Sequence, residues 1–184
     1  MSHDICPYWL GYLLINPLRR LIHDPRRILE PFVRPGMTVL DIGCAMGFFT
    51  LPMAEMVGES GRVIAVDVQE RMLAALRKRA ARAGLGGRIS ARLAGVDRLE
   101  LDDLAGQVDF ALAFAVVHEV GDAAGLFREL SALLKPGGAC LIAEPRGHVP
   151  RADFERTLTA ARQAGLIVNE GPKIRGCHSA VIVR

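Results

Sequence analysis

The sequence predicts a doubly wound α/β domain: a mostly parallel seven-stranded sheet with helices on both faces and a helical segment at the N-terminus. Three observations predict it. From Met37 onward, short β-branched apolar runs alternate with longer amphipathic stretches, as strands and crossover helices of a parallel sheet do. The first apolar run ends in an acid and turns through glycines toward a helix. The last two strand-like runs have no helix between them, which predicts an antiparallel pair at one sheet edge.

In chain order, residues 1–36 read as short helices at Pro7 to Leu14 and Pro17 to Leu29, broken by Pro17 and Pro25 and ended by Pro31 and Pro35. Strands follow at Thr38 to Asp41, Val63 to Asp67, Ile89 to Leu93, Val108 to Phe114 and Ala139 to Glu144. The helices between and after them are Phe48 to Val57, Glu70 to Ala83, Gly121 to Leu134 and Arg151 to Ala164. Gly84, Gly86 and Gly87 punctuate the middle of the chain, and the turn Lys135-Pro136-Gly137-Gly138 separates the third of these helices from the fifth strand. The closing strands are Leu166 to Glu170 and Ala180 to Arg184, joined through Gly171-Pro172 and Gly176.

At 184 residues with 51% hydrophobic and 23% charged side chains, the chain can bury one substantial core, so residues 1–184 are expected to form a single domain. A net charge of +3 permits a nucleic-acid partner without indicating one. Cys6, Cys44, Cys140 and Cys177 lie far apart with no CxxC pair, so neither a zinc site nor a disulfide framework follows, and a reducing cytoplasm fits best. The apolar stretch Tyr8 to Ile15 is too short to span a bilayer, and Asp4 precedes it instead of a basic flank; no export signal or membrane span is expected.

The sharpest chemical signal is Thr38-Val39-Leu40-Asp41-Ile42-Gly43-Cys44-Ala45-Met46-Gly47-Phe48. Glycines at a strand-to-helix turn let backbone approach a ligand, and the helix start offers unpaired N–H donors. A dinucleotide fingerprint needs G-x-G-x-x-G, but Ala45 and Phe48 stand where its second and third glycines belong, which disfavours NAD. Asp67 ends the next strand about 20 residues on, the distance at which doubly wound folds place a ribose-binding carboxylate.

Asp41-x-Gly43-x-x-x-Gly47 resembles the first motif of class I S-adenosylmethionine-dependent methyltransferases, D/E-x-G-x-G-x-G, with Ala45 as the one departure. Leu133-Leu134-Lys135-Pro136-Gly137-Gly138 resembles the family's turn into its fifth strand. The motifs run in the family's order over roughly residues 33–184, and the chain resembles the methyltransferase type 11 or UbiE-like members of that family. The resemblance implies the strand order 3-2-1-4-5-7-6 with the last strand antiparallel. It implies S-adenosylmethionine as cofactor, held by Asp41, Gly43, Cys44, Ala45 and Gly47 at the turn. Asp67 would take the ribose hydroxyls, with Val68 and Gln69 alongside the adenine. The third motif matches poorly, and only Gly95 and Val96 carry over, as backbone contacts, with Asp97 a possible substitute.

Phe114 ends the fourth strand, where the resemblance faces the transferable methyl, and His118 and Glu119 follow it. Methyl transfer is a displacement in which the protein chiefly aligns the acceptor and excludes water; a base is needed only if the acceptor starts protonated, and His118 or Glu119 would then supply it. The same pair could be a structural hydrogen-bonding feature. A small-molecule acceptor is the leading expectation, against an RNA or protein substrate and against a non-catalytic protein that only binds the cofactor. Tyr8, Trp9, Tyr12, Leu13 and Leu14 could form a lid or pack on the core, with Arg19, Arg20, Arg26 and Arg27 as anion contacts. Arg71, Arg77, Lys78, Arg79, Arg82 and Arg88 read as a solvated helix face. Cys6, Cys177 and His178 are the only thiol and imidazole groups that could meet near the acceptor.

Overall fold

A computed structural model describes residue 19 and residues 21–184. The candidate lid residues Tyr8 to Leu14, the helix expected at Pro7 to Leu14, Arg20 and Cys6 lie outside the described residues. Those described fall into two compact units, one ending at Ala94 and the other running from Gly95 to Arg184. Seven strands form the sheet in the order β3-β2-β1-β4-β5-β7-β6, counted along the chain, which is the order that the methyltransferase resemblance implies.

The first unit begins with a short helix, α1 (Pro25–Leu29), where the Asp24 side chain accepts the Arg26 N–H and Pro25 supplies a preset φ at the first turn. The longer helix expected from Pro17 is cut short: Leu21 and Ile22 lie in a 3₁₀ turn, residues 23–24 are not helical, and α1 begins only at Pro25. β1 (Thr38–Ile42), β2 (Arg62–Asp67) and β3 (Ile89–Leu93) pair in parallel, with Asp41 opposite Ala65 and Asp67 opposite Leu93. β1 and β2 are buried almost throughout, which explains their unbroken apolar runs. α2 (Thr50–Val57) and α3 (Glu70–Arg82) are the crossovers. α2 starts two residues later than expected, because residues 43–49 are spent in the turn. Met72, Leu73, Leu76 and Ala80 form the buried stripe of α3.

In the second unit, β4 (Val108–Phe114) pairs in parallel with β5 (Leu134–Pro145), and β5 pairs antiparallel with β7 (Cys177–Val183), which holds β6 (Ile167–Glu170) on its other side. α4 (Ala123–Leu133) is capped by Asp122, whose carboxylate accepts the Gly125 N–H, and α5 (Arg151–Gln163) follows β5. Two boundaries differ from expectation by three residues or more. Lys135 to Gly138 do not form a separate turn: β5 starts at Leu134, directly from the helix, and these residues are a bulge that shifts the register from Val108 opposite Leu134 to Phe110 opposite Ala139. Gly138 is needed there, since a Cβ would stand 2.9 Å from the Lys135 carbonyl oxygen and 3.0 Å from that of Val108. β7 starts at Cys177, three residues before the expected Ala180, and this places His178 opposite Glu144.

Candidate functional site

The glycine turn is shaped by three successive left-handed positions: Gly43 at φ 68°, Ala45 at φ 47° and Gly47 at φ 84°. Ala45, the departure from the family pattern, holds the backbone conformation that a glycine would adopt, with only a methyl group to accommodate. Cys44 extends the ladder by donating its N–H to the Val66 carbonyl, while its thiol packs with Ala65, Leu73 and Leu76. Only the backbone of Cys44 therefore remains for a ligand, and burial pushes the thiol well above its usual pKa. At Gly47, left-handed at φ 84°, a Cβ would also have to displace the end of the Leu76 side chain, so backbone and packing both favour glycine there.

Two buried carboxylates lock this turn. Asp67 accepts the Ala45 N–H on one oxygen and the Gln69 N–H on the other, each at 2.9 Å. One side chain thus ties the end of β2 to the middle of the glycine turn. The Val68 N–H also acts on this carboxylate. Burial pushes the Asp67 carboxyl up, against the opposing pull of those N–H donors. Asp41 is 3% exposed and accepts a 2.5 Å hydrogen bond from the Thr50 hydroxyl. Its carboxyl is raised to about 7, by burial above all, with the Thr50 bond opposing and the nearby Asp67 charge adding to the rise. Arg19, whose guanidinium lies 4.4 Å above the Phe48 ring, draws it back toward the ionised form.

Arg71, Arg77, Lys78 and Arg82 are exposed, as a solvated face of α3 requires, while Arg79 and Arg88, the latter beyond the helix, are half-buried. Arg79 donates to the Met46 carbonyl inside the glycine turn, Arg77 to the Ala91 carbonyl and to Glu70, and Arg88 pairs with Glu59. Charge read from sequence cannot reveal that a backbone oxygen lies within reach. Beside Asp67 in register, Leu93 remains 52% exposed. Gly95 and Val96 lie in the bend that follows, and Val96 is 61% exposed.

In the second unit Phe114 closes β4 and is followed by Ala115 at φ 57°, a left-handed position outside any glycine. A single 3₁₀ turn, Val117–Glu119, then carries His118 and Glu119. Sequence reasoning missed their partner. Glu144, 1% exposed at the end of β5, accepts the Val117 N–H at 2.8 Å on one oxygen and meets His118 Nδ1 at 2.5 Å with the other. An ionised carboxylate only accepts, so Nδ1 carries the proton and Nε2 is left as the free basic nitrogen. The His118 side chain is 27% exposed, and Glu119 Oε1 lies 4.0 Å from Nε2. The hydrogen bond to Glu144 raises the His118 pKa, burial opposes it, and the charges of Glu144 and Glu119 add to the rise. A signal for Glu144 was present: like Asp41 and Asp67, it is an acid near the carboxyl end of an otherwise apolar strand.

Comparison with known proteins agrees with this geometry. The methyltransferase domain family matches residues 34–180. Nocamycin O-methyltransferase of Saccharothrix syringae is 30% identical over 159 residues, covering 86% of this chain and 53% of that protein. A ubiquinone biosynthesis O-methyltransferase of Caulobacter vibrioides is 36% identical over 141 residues, covering 77% of this chain and 52% of that one. The chain thus spans about half the length of these curated relatives. The crystal structure of a SAM dependent methyltransferase from Aquifex aeolicus superposes with a TM-score of 0.86 at 26% identity, covering 97% of this chain and 98% of that one. Fold, motif order and family match converge: the chain belongs to the methyltransferase domain family, within the class I, S-adenosylmethionine-dependent methyltransferases.

Proposed function

We propose that this chain transfers a methyl group from S-adenosylmethionine to the oxygen of a small protic acceptor. The observation that carries the cofactor assignment is the Asp67 latch, a buried carboxylate at the end of β2 bound to the glycine turn, which in this reading faces the ribose hydroxyls. The residues fit the group: Leu93 offers an uncovered apolar side chain beside Asp67, as a stacked base requires, and the turn presents backbone and no bulky side chain. Asp41, the backbone of Gly43, Cys44, Ala45 and Gly47, and Asp67 with Val68 and Gln69 would hold the cofactor, with Gly95, Val96 and Phe114 as further contacts. When bound, S-adenosylmethionine supplies an electrophilic methyl carbon on a sulfonium that needs no further activation.

What remains for the protein is to bind, align and deprotonate the acceptor. His118 Nε2 takes the acceptor's proton, and buried Glu144 holds the ring and stabilises the imidazolium that results. Glu119, on the Nε2 side, is placed to pass that proton to water. Two relatives named as O-methyltransferases support oxygen as the acceptor atom and a small molecule as its bearer. We place the chain in the cytoplasm as a single domain; the buried, unbridged thiols of Cys44, Cys140 and Cys177 support a reducing compartment. No helix among the described residues is long and apolar enough to cross a membrane.

Isothermal titration with S-adenosylmethionine, and in parallel with NADH, tests the cofactor. Saturable binding of S-adenosylmethionine alone, weakened at least tenfold in Asp67→Ala, is the expected outcome, since a charged hydrogen-bond acceptor contributes about 1.5–3 kcal/mol. Absence of binding by the folded wild-type chain would overturn the assignment.

A further inference from the structure

Wholly within the second unit, a groove of about 740 Å³ runs between α5 and the loop that joins β6 to β7. That volume lies within the range of small-ligand sites. Its floor is apolar, formed by buried Phe154, Leu158 and Ile174. Its rim is basic. Arg146 comes from the segment after β5, Arg151 and Arg162 from α5, and Lys173 and Arg175 from the loop, against two carboxylates, Glu155 and Glu170. This excess of three positive charges equals the net charge of the entire chain, so the remaining residues balance to zero. A net charge of +3 is therefore gathered around one concave site.

The cations are differently engaged. Arg151 is paired with Glu155, and Arg146 is oriented by donating Nε–H to the Cys177 carbonyl at 3.0 Å, a bond that leaves its terminal nitrogens for another acceptor. Arg162 and Lys173 have no ion pair among the described residues. His178 stacks on Phe154 with ring centroids 5.4 Å apart, forming an aromatic wall. Burial lowers the His178 pKa, and the charges of Arg146 and Arg151 lower it further while Glu155 opposes them, so these cations already act on the imidazole.

We propose that this groove binds a small organic anion, a phosphate or carboxylate attached to an apolar body: the rim takes the charge and the Phe154–His178 wall takes the body. A nucleic-acid strand would instead need a basic track continuing along the surface with successive stacking platforms. Here the cations converge on one apolar floor. The proposal does not rest on the methyl-transfer reading: the groove is lined by residues of the second unit alone, and its His178 meets the dyad only as the strand neighbour of Glu144.

The test is NMR titration of the full chain, without S-adenosylmethionine, using phenyl phosphate, phenol, inorganic phosphate and a short single-stranded RNA. Phenyl phosphate should saturate with shifts confined to the groove and should raise the His178 titration midpoint, because a bound anion stabilises the imidazolium. Phenol and inorganic phosphate should each bind at least about tenfold more weakly, having only half of the recognised features. The double variant Arg162→Gln with Lys173→Gln, both exposed and so compatible with folding as checked by circular dichroism, should weaken phenyl phosphate by a similar factor. Binding that survives in the folded double variant, shifts spread over the whole surface, failure to saturate, or RNA binding that exceeds phenyl phosphate would each overturn it.

Discussion

The two units solve different problems with different materials. In the first, the ligand turn is built from backbone: three left-handed residues, a ladder extended through Cys44, and carboxylates whose partners are mostly main-chain N–H groups. In the second, the chemistry belongs to side chains gathered across the sequence, His118 on a 3₁₀ turn and Glu144 on β5, with the basic rim drawn from three segments. A backbone-built site demands particular residue types at fixed short spacing, so it admits few sequences. A side-chain site can be assembled from many, which lets acceptors diverge while the cofactor half stays the same.

The comparison can be broken most forcefully at the dyad. With an acceptor that is turned over, His118→Asn should lower kcat by 10²–10⁴, about 3–5 kcal/mol in the barrier, with S-adenosylmethionine affinity unchanged. The wild-type kcat should rise with pH through the raised His118 pKa, above 6.5, because only the neutral ring accepts a proton, and the variant should lose that limb. An unchanged kcat would reduce His118 to a structural role.

Next in size is Gly47→Ala. A left-handed alanine and a collision with Leu76 together should cost about 3 kcal/mol in urea unfolding. A loss below about 1 kcal/mol would mean that the turn is softer than a backbone-built site can be.

Asp41 gives a smaller, pH-dependent effect. Its folded carboxyl, near 7, binds a proton where the unfolded one, at 3.8, does not; stability therefore increases as pH falls below 7 and is lowest above it. Between pH 8 and pH 5 the wild type should gain about 2 kcal/mol from this group, and Asp41→Asn, which imitates the protonated form, should flatten that part of the profile. The smallest effect belongs to Ala45→Gly. Relief of the left-handed strain and the added freedom of the unfolded chain nearly cancel, leaving thermal stability within about 0.5 kcal/mol.

The same division explains what was legible in the sequence. The strand order, the closing antiparallel pair and the Asp41–Gly47 turn could be read because spacing encodes them, and every expected strand is present. The Lys135–Gly138 bulge reads as a turn in the sequence because glycine and proline punctuate both, and only the pairing of β4 with β5 distinguishes them. Glu144 reads in the sequence only as a strand end, since its partner lies 26 residues away and no local pattern joins them. The groove was invisible for the same reason: Arg146, Arg162 and Lys173 are unremarkable singly and become a site only when α5 and the hairpin loop face each other.

Glu144 carries one further consequence, because its two oxygens are committed to different tasks. Replacing one oxygen by nitrogen, as in glutamine, would keep the shape and still satisfy the Val117 amide, but it would present N–H to Nδ1. The imidazole would have to change tautomer, moving its proton to Nε2 and turning the outward nitrogen from acceptor to donor. A single atom buried beneath the site thus decides which way the ring can pass a proton, and residue 144 cannot drift between acid and amide without reversing the polarity of the residue above it.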